Sequence, residues 1–131
     1  MSEASTPALD RAHLAAMTGE DEALAIEVLG LFKEQAAMWS RLLDPKRTAQ
    51  TWADAAHSLK GSALGVGAMR LADACAEAET LGRSGSATPV QAALAIDAVR
   101  TEMVTALEEA AKTAHALEAI GGFKASNASN S

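Results

Sequence analysis

One histidine of this chain, His57, has neighbours that suit a nucleophile for phosphoryl groups. Lys60 follows about one helical turn later and can place an ammonium beside an added charge of about −1.5 to −2. Gly61 falls in the middle of a predicted helix, where glycine costs about 1 kcal/mol relative to alanine, so its presence indicates that another molecule approaches the backbone there. We therefore predict a catalytic site made of His57, Lys60 and Gly61.

The segment that carries His57, from Trp52 to Arg70, reads as a helix with an apolar stripe on one side. The stripe consists of Trp52, Ala56, Leu59, Ala63 and Val66. At 100° per residue, His57 points about 145° away from the centre of this stripe, which predicts an exposed ring. Gln50, Ala53 and Leu64 share the exposed side, and we predict that they form a partner-docking surface.

A neutral imidazole is the nucleophile in this hypothesis, with Nε2 as the reacting nitrogen. Its Nδ1–H then needs an acceptor that fixes the tautomer. Asp54 lies on the same helix face and is one candidate for that acceptor.

The residues around His57 resemble the signature of histidine-containing phosphotransfer (HPt) domains. The matching run is Ala56-His57-Ser58-Leu59-Lys60-Gly61-Ser62-Ala63, continued by Leu64-Gly65-Val66-Gly67-Ala68 and Leu71-Ala72. Upstream, Leu9-Asp10 and Gly19-Glu20-Asp21 resemble the short first helix of the family and the turn after it. The resemblance covers residues 9 to 118 and implies a four-helix bundle that relays phosphoryl groups between receiver domains, with His57 as the carrier.

The same resemblance implies supporting residues on the helix after His57. A polar residue about 22 positions on commonly contacts the ring in the family, and here it is Glu79, which otherwise reads as a surface acid. Arg83, about 26 positions on, is a possible second cation, although a cation at a helix C-terminus also favours the macrodipole.

The resemblance also implies partners, namely response-regulator receiver domains and a (hybrid) histidine kinase. No cofactor of its own is expected, because Mg²⁺ and the acceptor aspartate belong to the receiver, and no metal site is predicted. The chain would act as a phosphocarrier without autokinase activity.

Composition sets further bounds. The chain has 131 residues, of which 49% are hydrophobic and 3% aromatic, and it carries a net charge of −6. One domain with a core of small aliphatic residues follows, and the acidic balance argues against nucleic acid. Cys75 reads as a buried core thiol. With neither a leader peptide nor a membrane span in the sequence, a cytoplasmic protein is expected.

The apolar patterns predict an all-α fold, an up-down antiparallel four-helix bundle with a short N-terminal lid helix. The predicted helices are Arg11 to Met17 with Asp10 as N-cap, residues 20–22 to about Leu43, a third that includes His57 and ends at Gly65 and Gly67, residues 68–83, and residues 89–119. Residues 1–8 are expected to be a flexible N-terminus, residues 9–119 the bundle, and residues 120–131 a disordered tail.

The second predicted helix has a wider apolar arc than a bundle core requires, because Leu24, Leu31, Met38 and Leu42 lie beside its main stripe. Two explanations remain open. The first helix covers part of this arc, or part of it is a docking patch beside His57.

Three alternative interpretations compete with this one. A metal-binding bundle would need inward-facing ligands, whereas Asp54 and His57 face outward. A histidine-kinase dimerisation domain would have an acid directly after the histidine, where this chain has Ser58. The remaining alternative is a non-catalytic bundle that binds receivers as an adaptor. His13 and His115 read as surface or helix-end residues. A monomer is expected, while the oligomeric state and the choice between a free-standing protein and an excised domain stay open, as do the partners' identity, the pathway output and the direction of phosphate flow.

Overall fold

The computed structural model describes residues 6–120, which form five helices and no strand. The helices are α1 (Arg11–Met17), α2 (Glu22–Ser40), α3 (Ala49–Val66), α4 (Met69–Arg83) and α5 (Pro89–Ile120). The prediction of an all-α fold is confirmed. Residues 1–5 and 121–131, which make up most of the predicted flexible ends, lie outside the described residues.

Four of the helices enclose the core. Helix α3 packs against α2 and α4, and α5 closes the ring by packing against the same two helices. Short connections join successive helices, so neighbours run antiparallel, as predicted. The interior is mainly leucine, alanine and valine, with Trp52 and Phe32 as its largest fully buried side chains.

Side chains cap the starts of α1, α2 and α3, and the Thr88 hydroxyl does the same for α5. The carboxylates of Asp10 and Asp21 accept hydrogen bonds from the backbone N–H groups of His13 and Leu24. The Thr48 hydroxyl accepts in the same way at the start of α3. Each cap satisfies a backbone donor that the first helical turn leaves unpaired, which explains why the chain turns into a helix at these residues.

Gly67 divides the segment from Trp52 to Arg70 into two helices. Its φ of +82° lies in the left-handed region, and a Cβ there would stand 2.8 Å from the Asp10 carbonyl oxygen. The Gly67 carbonyl also accepts a hydrogen bond from the Asp10 N–H at 2.9 Å. Helix α3 therefore ends at Val66, and Arg70 belongs to α4.

Helix α2 ends earlier than predicted, at Ser40 rather than near Leu43. The last backbone bonds tighten into turns, in which the Leu43 N–H donates to the Ser40 carbonyl. Arg100 of α5 then donates to the carbonyls of Ser40, at 3.0 Å, and Leu43. The Arg100 side chain thus satisfies backbone carbonyls at the end of α2. The apolar pattern along α2 alone does not reveal this contact, because Arg100 belongs to another helix.

Helix α1 packs against the C-terminal end of α3, as the predicted lid. Leu14 is fully buried, and a His13 ring nitrogen forms a 3.0 Å hydrogen bond with the Leu64 carbonyl. Helix α1 leaves much of the wide apolar arc on α2 uncovered. Leu24, Leu31 and Met38 in this arc are between 41% and 52% exposed. Within residues 6–120, no helix combines the length and the apolar character that a membrane crossing requires.

Candidate phosphotransfer site

The predicted stripe of α3 is buried, and His57 lies on the opposite side. Each stripe residue is at most 1% exposed. The side chain of His57 is 61% exposed, so the ring is open to another macromolecule. The helical phase that places His57 outward is fixed by this stripe, because Trp52 and Leu59 fill the centre of the bundle.

Glu79 of α4 fixes the orientation of the ring. Its Oε2 lies 2.9 Å from His57 Nδ1, so the contact that the resemblance suggested is present. A carboxylate can only accept a hydrogen bond, so Nδ1 carries the hydrogen. In the neutral ring, Nε2 then holds the free lone pair, and it is the nitrogen left for a nucleophilic role.

Glu79 also contacts Lys60. Lys60 Nζ donates to Glu79 Oε1 at 3.0 Å, so each carboxylate oxygen has its own partner. The hydrogen bond from Lys60 holds the pKa of Glu79 below its usual value, burial opposes this effect, and His57 adds to the lowering. The carboxylate is therefore anionic at neutral pH, and it ties the cation to the ring.

A second ion pair lies beside this group. Arg83 Nη1 is 2.6 Å from Asp54 Oδ1, and its Nη2 is 3.5 Å from Glu79 Oε2. The hydrogen bond to Asp54 raises the pKa of the Arg83 guanidinium. Asp54 thus pairs with Arg83 and not with the ring, and both predicted cations, Lys60 and Arg83, lie close to Glu79.

The close approach of α4 to α3 makes these contacts possible. Gly82 has no side chain, and a Cβ there would stand 2.7 Å from the Ala53 Cβ and 2.9 Å from Trp52 Cζ3. Sequence reasoning missed Gly82, although a glycine inside the apolar pattern of α4 is a recognised sign of close backbone approach.

The same packing overturns the prediction for Ala53. We expected it on an exposed docking surface, but it is fully buried. Ala53 and Lys60 project from the same edge of the His57 face, and α4 covers that edge. A small side chain at residue 53 is therefore an interhelical contact, and the docking prediction for it was wrong.

The remaining residues of the predicted surface are open. Gln50 is exposed and Leu64 is 46% exposed, and they lie two turns before and after His57. A Cβ built on Gly61 meets no atom within 4 Å. Gly61 therefore leaves free space beside the ring, and no contact within the described residues requires a glycine there.

Helix α2 lines the other flank of the site. The Ser62 hydroxyl donates to Gln35 Oε1, which joins α3 to α2 five residues after His57 along α3. Leu31 lies one turn before Gln35 along α2 and is 52% exposed. Met38 lies almost one turn after Gln35 and is 51% exposed. Apolar surface therefore lies on α2 beside the predicted site.

Cys75, His115 and His13 lie outside the group of side chains around Glu79. Cys75 is buried, and burial raises the pKa of its thiol to about 12, with a smaller lowering by Lys60. His115 is exposed on α5, and His13 is the half-buried contact of α1 described above. Between residues 6 and 120, no group of three or more histidine, cysteine and acidic side chains could hold a metal ion.

An all-α bundle that presents a single oriented histidine on an exposed helix face defines a class of carrier and docking proteins. The family model for the Hpt domain matches residues 22–111, well over half of the chain. The chain therefore belongs to the Hpt domain family, the histidine phosphotransfer proteins of phosphorelays. This finding confirms the family and the function predicted from the residues around His57.

A solved structure agrees with this assignment. The chain is similar to the crystal structure of histidine phosphotransferase ShpA from Caulobacter crescentus, with 37% identity and a TM-score of 0.68. The match covers 85% of this chain and 94% of that one. A comparison with the curated proteins gave no match.

Proposed function

We propose that His57 is the phosphoryl acceptor of this chain and that Nε2 is the reacting atom. The observation that carries this proposal is the 2.9 Å contact between Nδ1 and the anionic Glu79 carboxylate. It holds the hydrogen on Nδ1 and leaves the Nε2 lone pair facing outward on a ring that is 61% exposed. His115 is also exposed, but no carboxylate contacts its ring among the described residues.

In the proposed step, the Nε2 lone pair attacks phosphorus of the aspartyl phosphate on a receiver domain. The P–N bond forms while the bond from phosphorus to the aspartate oxygen breaks, and the electron pair of that bond stays on the aspartate. The ring keeps its Nδ1 hydrogen and becomes positively charged, which strengthens its contact with Glu79. Transfer in the other direction reverses each change.

Lys60 is the first cation available to the transferred group. It lies one turn from His57 and is held by Glu79 at 3.0 Å, with 30% of its side chain exposed. An added phosphoryl group carries up to two negative charges, and an ammonium at this position reduces their repulsion from Glu79. The Lys60 contact therefore both fixes Glu79 and places positive charge beside the reacting ring.

The chain supplies a positioned nucleophile, and the receiver supplies the rest of the chemistry. We expect the receiver to bring the aspartate and Mg²⁺, which would offset charge on the phosphoryl oxygens. The contribution of this chain is then proximity and orientation of Nε2.

The proposed docking surface surrounds His57. It consists of Gln50, Gly61 and Leu64 on α3 with Leu31 and Met38 on α2. The apolar members give a receiver surface that is removed from water on binding, and the open space at Gly61 lets its backbone approach the ring. We further propose that the protein acts as a cytoplasmic monomer, which presents this surface to a hybrid histidine kinase and to receivers in turn.

The test is phosphotransfer from a panel of phosphorylated receivers and kinases to the wild type and to His57→Gln. We expect acid-labile, base-stable label on the wild type and none on the variant. His115→Gln is the matched control and should label like the wild type, because it also loses one exposed histidine. Label that persists on His57→Gln would overturn the assignment. Receiver binding without label on the wild type would support the adaptor alternative.

A further inference from the structure

The ion pair of Asp54 with Arg83 has no role in the step described above. Arg83 lies between two carboxylates, with Asp54 at 2.6 Å and Glu79 Oε2 at 3.5 Å. That same Glu79 oxygen accepts the hydrogen bond from the His57 ring. Glu79 therefore links the Arg83 guanidinium to the His57 ring, but the shortest contact of the guanidinium is with Asp54.

The exposure of the pair suits an exchange of partners. Asp54 is 56% exposed and Arg83 is 44% exposed, so water competes for their contact and the net attraction is small. A phosphoryl group offers three acceptor oxygens and up to two charges. The planar guanidinium can bind two of those oxygens at once. The phosphoryl group is therefore a stronger partner for Arg83 than one exposed carboxylate.

We propose that Asp54 is a positioning residue, which holds Arg83 in the unphosphorylated protein and releases it to the phosphoryl oxygens once His57 is phosphorylated. The inference rests on the proposed role of His57. The exchange itself forms and breaks no covalent bond, because only the ion pair changes. Its cost is the lost contact with Asp54, and that cost lowers the share of phosphoryl groups that reside on His57 at equilibrium with a receiver.

The consequence is a coupling between Asp54 and Arg83 in the phosphotransfer equilibrium. In Asp54→Asn, the competing carboxylate is absent, so Arg83 is more available to the phosphoryl group and the equilibrium moves toward His57. In Arg83→Gln, the cation is absent and the equilibrium moves toward the receiver. In the double variant, the asparagine should have no further effect, because it acts through Arg83.

The experiment mixes each variant with one phosphorylated receiver and measures the ratio of phosphohistidine to phosphoaspartate at equilibrium. We expect Asp54→Asn to raise this ratio about two- to fivefold, the range typical of an exposed ion pair. Asp97→Asn is the matched control, since it removes one exposed carboxylate from α5 and should leave the ratio unchanged. Thermal unfolding of each variant checks that the fold is intact.

Two results would overturn the inference while leaving the proposed function in place. One is an unchanged ratio in Asp54→Asn with normal labelling of His57. The other is an equal rise in the presence and absence of Arg83, which would show a general effect of net charge. Wild-type protein that takes no phosphoryl group from any receiver would overturn the proposed function, and the inference with it.

Discussion

Two helical glycines of this bundle, Gly61 and Gly82, have opposite surroundings. A Cβ on Gly61 would meet no atom within 4 Å, whereas a Cβ on Gly82 would stand 2.7 Å from Ala53 and 2.9 Å from Trp52. Gly61 belongs to the open face that presents His57. Gly82 belongs to the tightly packed seam between α3 and α4. The same residue type therefore keeps space free at one place and removes it at the other.

The comparison explains how the site is built. The seam brings α4 close enough for Glu79 to reach both His57 Nδ1 and Lys60 Nζ. The open face is what remains when those contacts are made, and it is the route by which a receiver reaches Nε2 in the proposed step. The proposed step depends both on rigidity on one side of His57 and on free space on the other.

The largest expected effect comes from filling the open space. Gly61→Leu should reduce the rate of phosphotransfer on the order of a hundredfold, because a side chain beside the ring displaces the receiver from its docking position. Phosphotransfer from a labelled receiver, quenched at successive times, measures this rate. The variant should be at least as stable as the wild type, since leucine is the better helix former. A normal rate would show that the face at Gly61 is not used for docking.

Filling the seam should instead reduce stability. Gly82→Ala places a methyl group against Ala53 and Trp52, and overpacking of this kind costs about 1–3 kcal/mol. The better helix propensity of alanine offsets about 1 kcal/mol of this cost. Urea denaturation should therefore show a net loss of stability of up to about 2 kcal/mol, and a gain would contradict the close contact of α3 with α4.

The seam also predicts a pH dependence through Cys75. Burial raises the pKa of its thiol from 9.0 to about 12, so between these values the folded protein keeps a proton that the unfolded chain loses. Stability then falls as pH rises above about 9, by up to about 1.4 kcal/mol per pH unit. The difference in this slope between wild type and Cys75→Ala isolates the thiol. Equal slopes would mean that the thiol is accessible to water.

The smallest expected effect is that of the matched substitution on the open face. Gly61→Ala should raise stability by about 0.5–1 kcal/mol, because alanine has the higher helix propensity and the added methyl group meets nothing. The same denaturation experiment as for Gly82→Ala measures it. We expect the changes in stability of the two Gly→Ala variants to have opposite signs. A loss of stability in Gly61→Ala would mean that the added methyl group contacts another part of the protein, against the open surroundings of Gly61.

Much of this architecture was predictable from the chain. The apolar stripe set the phase of α3 and hence the exposure of His57, and the capping residue Asp10 marked the start of α1. The contact of Glu79 with the ring followed from the family resemblance, since nothing in the spacing within one helix reveals which residue of α4 faces α3.

Interhelical distances were not predictable from periodicity. Ala53 was assigned to the open face because helical phase alone cannot show how far a neighbouring helix reaches around it. The early end of α2 depends on Arg100, which is 60 residues from Ser40 in sequence. Asp54 was a candidate acceptor for the ring, and its contact with Arg83 depends on the reach of a long side chain from α4.

The central claim is that Nε2 of His57 carries the phosphoryl group, with Nδ1 held by Glu79. The most direct test is an NMR experiment on protein with ¹⁵N-labelled histidine, before and after phosphorylation by a receiver. We predict that only the His57 ring changes, with the new bond to phosphorus on Nε2 and the hydrogen retained on Nδ1. Phosphorylation of Nδ1, or of the His13 or His115 ring instead, would contradict the account.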